Sequence, residues 1–259
     1  MILTLTYGVI AMLILAFFCW HLSVRINNVS IVDSFWSIFF LLGSVVYLWP
    51  NEAITQQQWV LLLLVIIWSL RLSFYITWRN HGEPEDSRYQ DIRARYSPNF
   101  AMKSLFIIFI FQAVLAGFIS LPLWFVFTHP SGFGIIDMLA VALWMTGMFF
   151  EVVGDAQMAS FRKSNASQNG EVMDRGLWRY TRHPNYFGEA CIWWAYYLFA
   201  VSAGGWWTIV APITMTWLLL KFSGVALLEG EIVHRRPAYR EYMQRTNAFF
   251  PWASRDKVS

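Results

Sequence analysis

Seven long apolar segments, separated by shorter polar stretches, dominate the chain and predict its architecture. Most of them approach the roughly 20 residues that an α-helix needs to cross the hydrocarbon core of a bilayer. Segment 186–203 is marginal and suits a short or tilted span. We therefore predict an all-α membrane protein, a seven-helix bundle forming one transmembrane domain over residues 1–259. The predicted spans are residues 2–22, 31–49, 59–78, 104–128, 135–160, 186–203 and 206–228.

The lysines and arginines predict the orientation of these helices. All but two of the 19 Lys and Arg residues follow the first, third, fifth and seventh spans, and Arg71 and Lys221 lie within spans. The alternate loops, about 50–58, 129–134 and 204–205, contain none. By the positive-inside rule, the N-terminus is therefore outside and the C-terminus cytoplasmic. The first span has no basic stretch before it and no cleavage site of small residues, which predicts a retained helix.

Composition agrees with a membrane protein and argues against several other classes. Only 14% of the residues are charged and 57% are hydrophobic, whereas a soluble domain carries about 25% charged residues. The net charge of +3 requires no nucleic-acid partner. Cys19 and Cys191 both lie in apolar segments, which argues against a disulfide framework. The histidines are scattered without metal-ligand spacing, and no P-loop or GxGxxG unit is present, so we expect neither a metal site nor a Rossmann domain.

Several ionisable residues lie within the apolar segments or at their ends, where they are costly and mark function by default. They are Asp33, Arg71, Glu151, Asp155, Glu189, Lys221 and Glu229. Most lie near the predicted cytoplasmic ends of their spans, so we expect a polar chamber in the cytoplasmic half of the bundle. Glu151 and Asp155 are four residues apart and share a helix face. An internal ion-pair network is the alternative explanation.

A dense polar stretch, RGLWRYTRHPNYFGE at residues 175–189, borders an apolar segment. It contains three arginines, whose forked donors suit phosphate. These are Arg175, Arg179 and Arg182. Pro184 fits the first turn of a following helix, which His183 or Asn185 would cap. The free N–H groups and the positive dipole end of such a helix also favour an anion.

One face of that predicted helix carries Tyr186, Glu189 and Trp193, at positions i, i+3 and i+7. We expect this face to contact the same ligand. A basic loop that contacts anionic lipid headgroups is the alternative, although lipid contact alone requires neither Asn185 nor Glu189.

A second charged stretch is RNHGEPEDSRYQDIR, residues 79–93. Its charges are of mixed sign and include His81, Glu83, Asp86 and Arg88, with Tyr89 beside them. Two interpretations remain open: a lid over the polar chamber, or a solvated loop that pairs with itself.

Four stretches together resemble one known family. The chain is similar to the bacterial membrane proteins described as steroid 5-alpha-reductase-like at GLWRYTRHPNYFGE, NNVSIVDSFW, RNHGEPEDSRY and the tail YREYMQRTNAFFPW. The resemblance covers nearly the whole chain, and that family is largely of unknown function. It implies a multi-pass protein of the bacterial inner membrane. A more distant resemblance, to the characterised steroid 5-alpha-reductases, rests on the C-terminal half.

The distant resemblance implies that NADPH binds from the cytoplasmic side to a cofactor-binding half at about residues 135–259. It also implies hydride transfer to a carbon–carbon double bond conjugated to a ketone. In this interpretation arginines bind the phosphates, while Asp155, Asn185 and Glu189 fix the ribose and the nicotinamide amide. The candidate cofactor residues are Arg71, Asp155, Arg162, Arg179, Arg182, His183, Asn185, Tyr186, Glu189 and Tyr242.

The chain departs from the characterised reductases at the substrate carbonyl. Those enzymes carry a Gln-Glu pair between helices 1 and 2 and a tyrosine on helix 3, whereas this chain has Asp33 in the first region and Trp68 near the tyrosine position. Asp33 and Tyr75, two turns beyond Trp68, are therefore the candidate proton donors. We expect an apolar or lipid substrate that enters from the bilayer, contact with membrane lipids, and a monomer.

Two other functions remain open. RYTRHPNYFG also resembles the Arg-His-Pro-x-Tyr element of isoprenylcysteine carboxyl methyltransferases, membrane enzymes that bind S-adenosylmethionine. Glu229 and Glu231 precede the last tyrosines as adjacent glutamates do in that family, but Gly230 separates them. The arginines favour NADPH, because it carries three phosphates and S-adenosylmethionine carries none. A non-enzymatic lipid-binding protein is the third alternative, since the 19% aromatic content also suits bilayer packing.

Overall fold

The computed structural model describes residues 2–164, 167, 169–222, 229, 232–233 and 236–255. Within these ranges the chain is helical and contains no strand. It divides into two compact units. The first unit comprises residues 1–134 and 199–208, and the second comprises residues 135–198 and 209–259. The boundary before Ile135 coincides with the start of the predicted cofactor-binding half, while the single domain over residues 1–259 stays a prediction.

The first unit contains seven helices within its described residues, joined by short turns. They are α1 (Ile2–Ile26), α2 (Ile31–Leu48), α3 (Gln56–Asn80), α4 (Ser87–Arg95), α5 (Phe100–Ser104), α6 (Phe111–Ile119) and α7 (Leu121–Thr128), with a π-helical stretch at Leu105–Ile110 between α5 and α6. The start of α3 is fixed by a capping box, in which Thr55 and Gln58 each accept a backbone N–H of the other.

Small and hydroxyl-bearing residues hold the helices of the first unit together. The hydroxyl of Ser37 donates to the Ser69 carbonyl at 2.8 Å, and the Ser69 hydroxyl returns a bond to the Ser37 carbonyl at 3.0 Å, which joins α2 to α3. The Tyr47 ring covers Gly8 of α1, and its hydroxyl lies 2.8 Å from that of Ser120. Such contacts are typical of helices that cannot rely on the hydrophobic effect between lipid-like surfaces.

The fourth apolar segment differs from the prediction of one helix over residues 104–128. The helix begins at Phe100 and ends at Ile119, and a second short helix begins at Leu121. The interruption follows from Pro122, which lacks an N–H group and whose ring clashes with the carbonyl four residues earlier in a continuous helix.

The second unit is built on two long helices and a folded tail. Its elements are α8 (Ile135–Arg162), a 3₁₀ turn (Gly176–Arg179), α9 (Pro184–Ser202, whose last turn belongs to the first unit), α10 (Val210–Trp217), a π-helical stretch (Leu218–Phe222) and α11 (Tyr239–Arg245). Helices α8 and α9 cross closely at Gly147 and Gly188. A Cβ atom on either glycine would lie about 2.5 Å from the other's carbonyl oxygen.

Five helices among the described residues are long and apolar enough to cross a membrane. They are Ile2–Ile26, Ile31–Leu48, Gln56–Asn80, Phe100–Ile119 and Ile135–Arg162. They agree with the first five predicted spans to within a few residues at each end, except that the fourth ends at Ile119 instead of residue 128. The sixth, 186–203, is a 19-residue helix made less apolar by Asn185 and Glu189. The last part of the seventh, residues 223–228, lies outside the described residues, so seven crossings and their orientation stay predictions.

Candidate functional site

The stretch before α9 is held against the end of α8 by hydrogen bonds. Gly176 adopts a left-handed backbone with φ of +60°, and the Gln157 side chain fills the space where a Cβ would lie. The Gln157 amide oxygen accepts the Leu177 N–H at 3.0 Å. The Trp178 indole N–H donates to the Gly154 carbonyl at 3.0 Å. These contacts set the path of the chain into α9.

Helix α9 begins at Pro184, as the sequence predicts. The Asn185 side-chain oxygen accepts the Tyr186 N–H at 3.1 Å, and its amide nitrogen lies 3.5 Å from Asp155 Oδ1 on α8. The His183 and Tyr186 rings stack, with centroids 5.4 Å apart. The start of α9 therefore places Asn185 beside Asp155 and stacks the ring of Tyr186 on that of His183.

Arg182 does not reach the surface as a phosphate ligand would. Its side chain is 9% exposed and binds Glu229 through Nε at 2.6 Å and Nη2 at 3.0 Å. Nη1 donates to the carbonyls of Met243 and Thr246. The guanidinium is thus occupied by this protein's own acceptors, and the expectation of an arginine pointing at the cofactor phosphates needs correction at this position.

Glu229, just past the seventh predicted span, is the acceptor at the centre of this cluster. His183 Nε2 lies 3.1 Å from its Oε1, beside the bond from Arg182. Burial alone would raise the pKa of Glu229, but the hydrogen bonds from His183 and Arg182 outweigh burial, and the pKa is lowered. The carboxylate therefore stays ionised and neutralises Arg182.

The C-terminal tail folds back onto the stretch that precedes α9. The Thr181 hydroxyl donates to the Phe249 carbonyl at 2.9 Å, and the Trp252 N–H donates to the Tyr180 carbonyl at 3.0 Å. The hydroxyl of Tyr242, a predicted cofactor residue, donates to the Trp178 carbonyl. Tyr242 is fully buried, and this hydrogen bond attaches the tail to the stretch before α9.

Three carboxylic acids are buried where α8 and α9 pack together. Glu151 and Asp155 share a face of α8, as predicted, and Glu189 lies one turn into α9. The Trp193 indole N–H donates to Glu189 Oε1 at 2.9 Å. Within the described residues, no group of three or more His, Cys, Asp or Glu side chains is arranged to hold a metal ion.

The other arginines between the end of α8 and the start of α9 are exposed. They are Arg162, Arg175 and Arg179. Arg179 lines a hollow of about 200 Å³ together with Asp174, Arg245, Thr246 and Ser254. Asp174 is bound to Arg245 in the lining of this hollow, so the charges of these two side chains partly balance each other. The second unit therefore combines exposed guanidinium groups with buried carboxylate and amide groups.

The predicted proton donor Asp33 lies in the first unit and is held by the 79–93 loop. Its Oδ1 accepts the Tyr89 hydroxyl at 2.6 Å, and its Oδ2 accepts Arg88 Nη2 at 3.1 Å. Arg88 also binds Asp86, whose N–H donates to the Ser30 hydroxyl at 2.8 Å. This stretch therefore pairs both with itself and with the start of α2.

Tyr89 contacts Asp33, whereas the resemblance to the helix-3 tyrosine of the characterised reductases pointed to Tyr75. Its pKa is well above the usual range because the phenol is buried and lies beside the negative charge of Asp33. The hydroxyl is thus a neutral donor, fixed on one carboxylate oxygen. A sequence signal did exist, since Tyr89 belongs to the charged stretch, but only folding brings it to Asp33.

The same loop has a second attachment to the turn between α1 and α2. Arg93 binds Glu85 through two nitrogens, at 2.8 and 2.7 Å, and Glu85 Oε1 accepts the Val29 N–H at 2.8 Å. Burial alone would raise the pKa of Glu85, but the bonds from Arg93 and Val29 outweigh it and lower the pKa. The Arg93 guanidinium also lies 4.6 Å from the Phe100 ring centroid.

The other candidate proton donor, Tyr75, lies between two arginines on α3. The guanidinium carbons of Arg71 and Arg79 are 5.3 and 6.0 Å from its ring centroid. Arg71 and Tyr75 belong to the first unit, whereas the other predicted cofactor residues belong to the second. The assignment of Arg71 to the cofactor and of Tyr75 to proton transfer stays a prediction.

A family model described as a protein of unknown function, DUF1295, matches residues 19–246. The chain belongs to this family. The family includes steroid 5-alpha-reductase-like proteins, which agrees with the resemblance of the motifs. An uncharacterized protein of Schizosaccharomyces pombe is 28% identical over 275 residues, covering 94% of this chain and 78% of the yeast protein. No solved structure matches the chain.

Proposed function

We propose that the chain is an NADPH-dependent membrane reductase that acts on a carbon–carbon double bond of an apolar substrate. The observation that supports the proposal is the charge arrangement of the second unit, where exposed arginines accompany buried carboxylate and amide groups. A dinucleotide has the complementary arrangement, because its phosphates are anionic while its ribose and nicotinamide ends offer hydroxyl and amide hydrogens.

Each group of residues has a distinct part in this proposal. Arg162 and Arg179 supply exposed positive charge for phosphate. Asp155, Asn185 and Glu189 accept from ribose hydroxyls and from the nicotinamide amide. In this proposal Arg182 has a different part from the one the sequence suggested: its bonds to Glu229 and to the tail position the start of α9.

The reaction reduces one double bond. NADPH, when bound, supplies a hydride to one carbon, and the other carbon takes a proton, so that the alkene becomes an alkane and the cofactor becomes NADP⁺. Asp33 and Tyr75 of the first unit remain the proposed proton donors. The apolar substrate enters from the bilayer, and we propose a monomer in the bacterial inner membrane with its C-terminus and cofactor site in the cytoplasm.

A specific observation favours a second candidate, an S-adenosylmethionine-dependent methyltransferase of the isoprenylcysteine carboxyl methyltransferase type. In the Arg-His-Pro-x-Tyr element, both Arg182 and His183 bind Glu229. This carboxylate neutralises the arginine, so the element itself offers less positive charge than its sequence suggests. A sulfonium cofactor without phosphates tolerates such a neutral element better than a dinucleotide does.

Ligand-induced stabilisation distinguishes these functions. Detergent-purified protein is heated with NADPH, NADH, S-adenosylmethionine or buffer, and a ligand present at about 100 times its Kd stabilises the folded state by about 2.7 kcal/mol. We expect the midpoint to rise with NADPH, and the rise to be smaller for Arg179→Gln and Glu189→Gln. Arg240→Gln, another exposed arginine, is the matched control. Stabilisation by S-adenosylmethionine alone favours the methyltransferase, and no stabilisation by either favours a non-enzymatic lipid-binding protein.

A further inference from the structure

A hollow beside the last turns of α8 is not used by the cofactor contacts proposed above. Its volume is about 330 Å³. Its apolar lining comes from Phe161, Val172 and Met173. Its polar lining comes from Gln157, Ser160, Ser164 and Arg175. Ligand pockets span roughly 300–1,000 Å³, so this hollow suits one end of a dinucleotide and not the whole molecule.

One wall of the hollow is fixed by a contact from far along the chain. The Arg236 guanidinium lies 5.8 Å from the Phe161 ring centroid. It also donates to Ser167 at 3.1 Å and to the Glu171 carbonyl. The ring and the loop that faces it are therefore held together, which gives a planar ligand a defined apolar surface.

Arg175 is available to a ligand in a way that Arg182 is not. Its side chain is 80% exposed, and its ion pair with Glu171, itself half exposed, spans 3.8 Å. An exposed ion pair at that distance is weak. A phosphate offers the guanidinium two charge-assisted hydrogen bonds, and it competes well with Glu171 for this arginine.

We propose that this hollow binds the adenosine end of NADPH and that Arg175 contacts the 2′-phosphate, so that Arg175 selects NADPH over NADH. The inference rests on the proposed function. The purine packs against Phe161 and Met173, and the hydroxyls of Ser160 and Ser164 bond the ribose or its phosphate. Arginine is the residue that accommodates a 2′-phosphate in other NADP-binding proteins.

Binding of adenosine phosphates tests the inference without enzymatic activity. Purified protein is titrated calorimetrically with 2′,5′-ADP, 5′-AMP, NADPH and NADH. We expect Arg175→Gln to weaken 2′,5′-ADP and NADPH about 30-fold and to leave 5′-AMP and NADH unchanged. Glu171→Gln removes a competing carboxylate and strengthens NADPH a few-fold. Arg175→Lys retains part of the preference, and Arg240→Gln behaves as wild type.

Each different result of these titrations overturns either the Arg175 contact, its selectivity or the proposed function. If wild type binds NADPH and Arg175→Gln binds it equally well, this inference is wrong and the proposed reductase stands. If Arg175→Gln weakens NADPH and NADH to the same extent, Arg175 contacts a phosphate common to both, and the selectivity assignment is wrong. If wild type binds none of the four compounds, the proposed function fails together with the inference. Equal thermal midpoints of the variants exclude unfolding as the cause.

Discussion

Each unit contains an arginine paired with a carboxylate from a distant part of the chain, and the two clusters differ in burial. In the first unit, Arg88 pairs with Asp86, two residues away, and with Asp33, with side chains 20% to 32% exposed. In the second, Arg182 pairs with Glu229, 47 residues away, and both side chains are 10% exposed or less. Because Arg88 and Asp33 are 55 residues apart, both clusters join distant segments of the chain, and burial is the difference between them.

This difference teaches how to interpret arginines next to membrane spans. Arg88 and Arg182 have the same chemistry, and each lies in a charged stretch beside an apolar segment. Exposed ion pairs contribute about 0–1 kcal/mol, but removing one partner of a buried pair costs about 3–5 kcal/mol, because the other charge remains buried. Burial, which composition does not reveal, decides which arginine is held by the fold and which is accessible to a ligand.

The largest expected effect comes from breaking the buried pair. Glu229→Gln keeps the size of the side chain but leaves the Arg182 charge without its counterion, so we expect a loss of about 3–5 kcal/mol and a thermal midpoint lower by about 10 °C. The measurement is thermal unfolding in detergent. The double replacement Arg182→Met with Glu229→Met is the control, and it should be less destabilising than Glu229→Gln. An unchanged midpoint for Glu229→Gln would contradict a structural role.

The sequence predicts the helices better than the contacts of their polar ends. Apolar length alone indicates the first five spans, and Pro184 marks the start of α9, because both signals are local. The partner of Arg182 is not local: Glu229 and the carbonyls of the tail become neighbours only when the chain folds. The same holds for Tyr89, which reaches Asp33 from 56 residues away.

A smaller effect is expected at the cluster of the first unit. Asp33→Asn and Tyr89→Phe each remove part of one partly buried hydrogen-bond network, at a cost of about 1–2 kcal/mol. Asp33→Asn removes the negative charge that strengthens the 2.6 Å bond from Tyr89, and Tyr89→Phe removes that bond, so the double variant should cost less than the sum of the single ones. Thermal unfolding of the three variants measures this, and fully additive losses would show that the two residues act independently.

Acid should weaken the attachment of the 79–93 loop to the first unit. The pKa values of Glu85 and Asp86 are lowered, because the hydrogen bonds from Arg93 and Arg88 outweigh the effect of burial. Their contribution is therefore complete above the unfolded pKa of about 4 and is lost as the pH falls through the lower folded values.

Two variants check this pH dependence. Glu85→Gln and Asp86→Asn should each lower the thermal midpoint at pH 7. The difference in midpoint between each variant and wild type should become smaller as the pH falls from about 4 to about 2. Thermal unfolding in detergent at several pH values measures the midpoint at pH 7 and its difference from wild type at acid pH. A constant difference across this range would mean that the two carboxylates do not titrate with folding.

The smallest expected effect is the dependence on salt of the stability that exposed and buried ion pairs contribute. Raising NaCl from 0.1 to 1 M shortens the screening length from about 10 to about 3 Å. Arg245→Gln removes a pair with Asp174 whose side chains are 38% and 32% exposed, so its cost of a few tenths of a kcal/mol should vanish in 1 M salt. The cost of Glu229→Gln should persist, because salt does not reach a pair that is 10% exposed or less. Equal salt sensitivity of the two variants would remove the distinction between the exposed and the buried arginines.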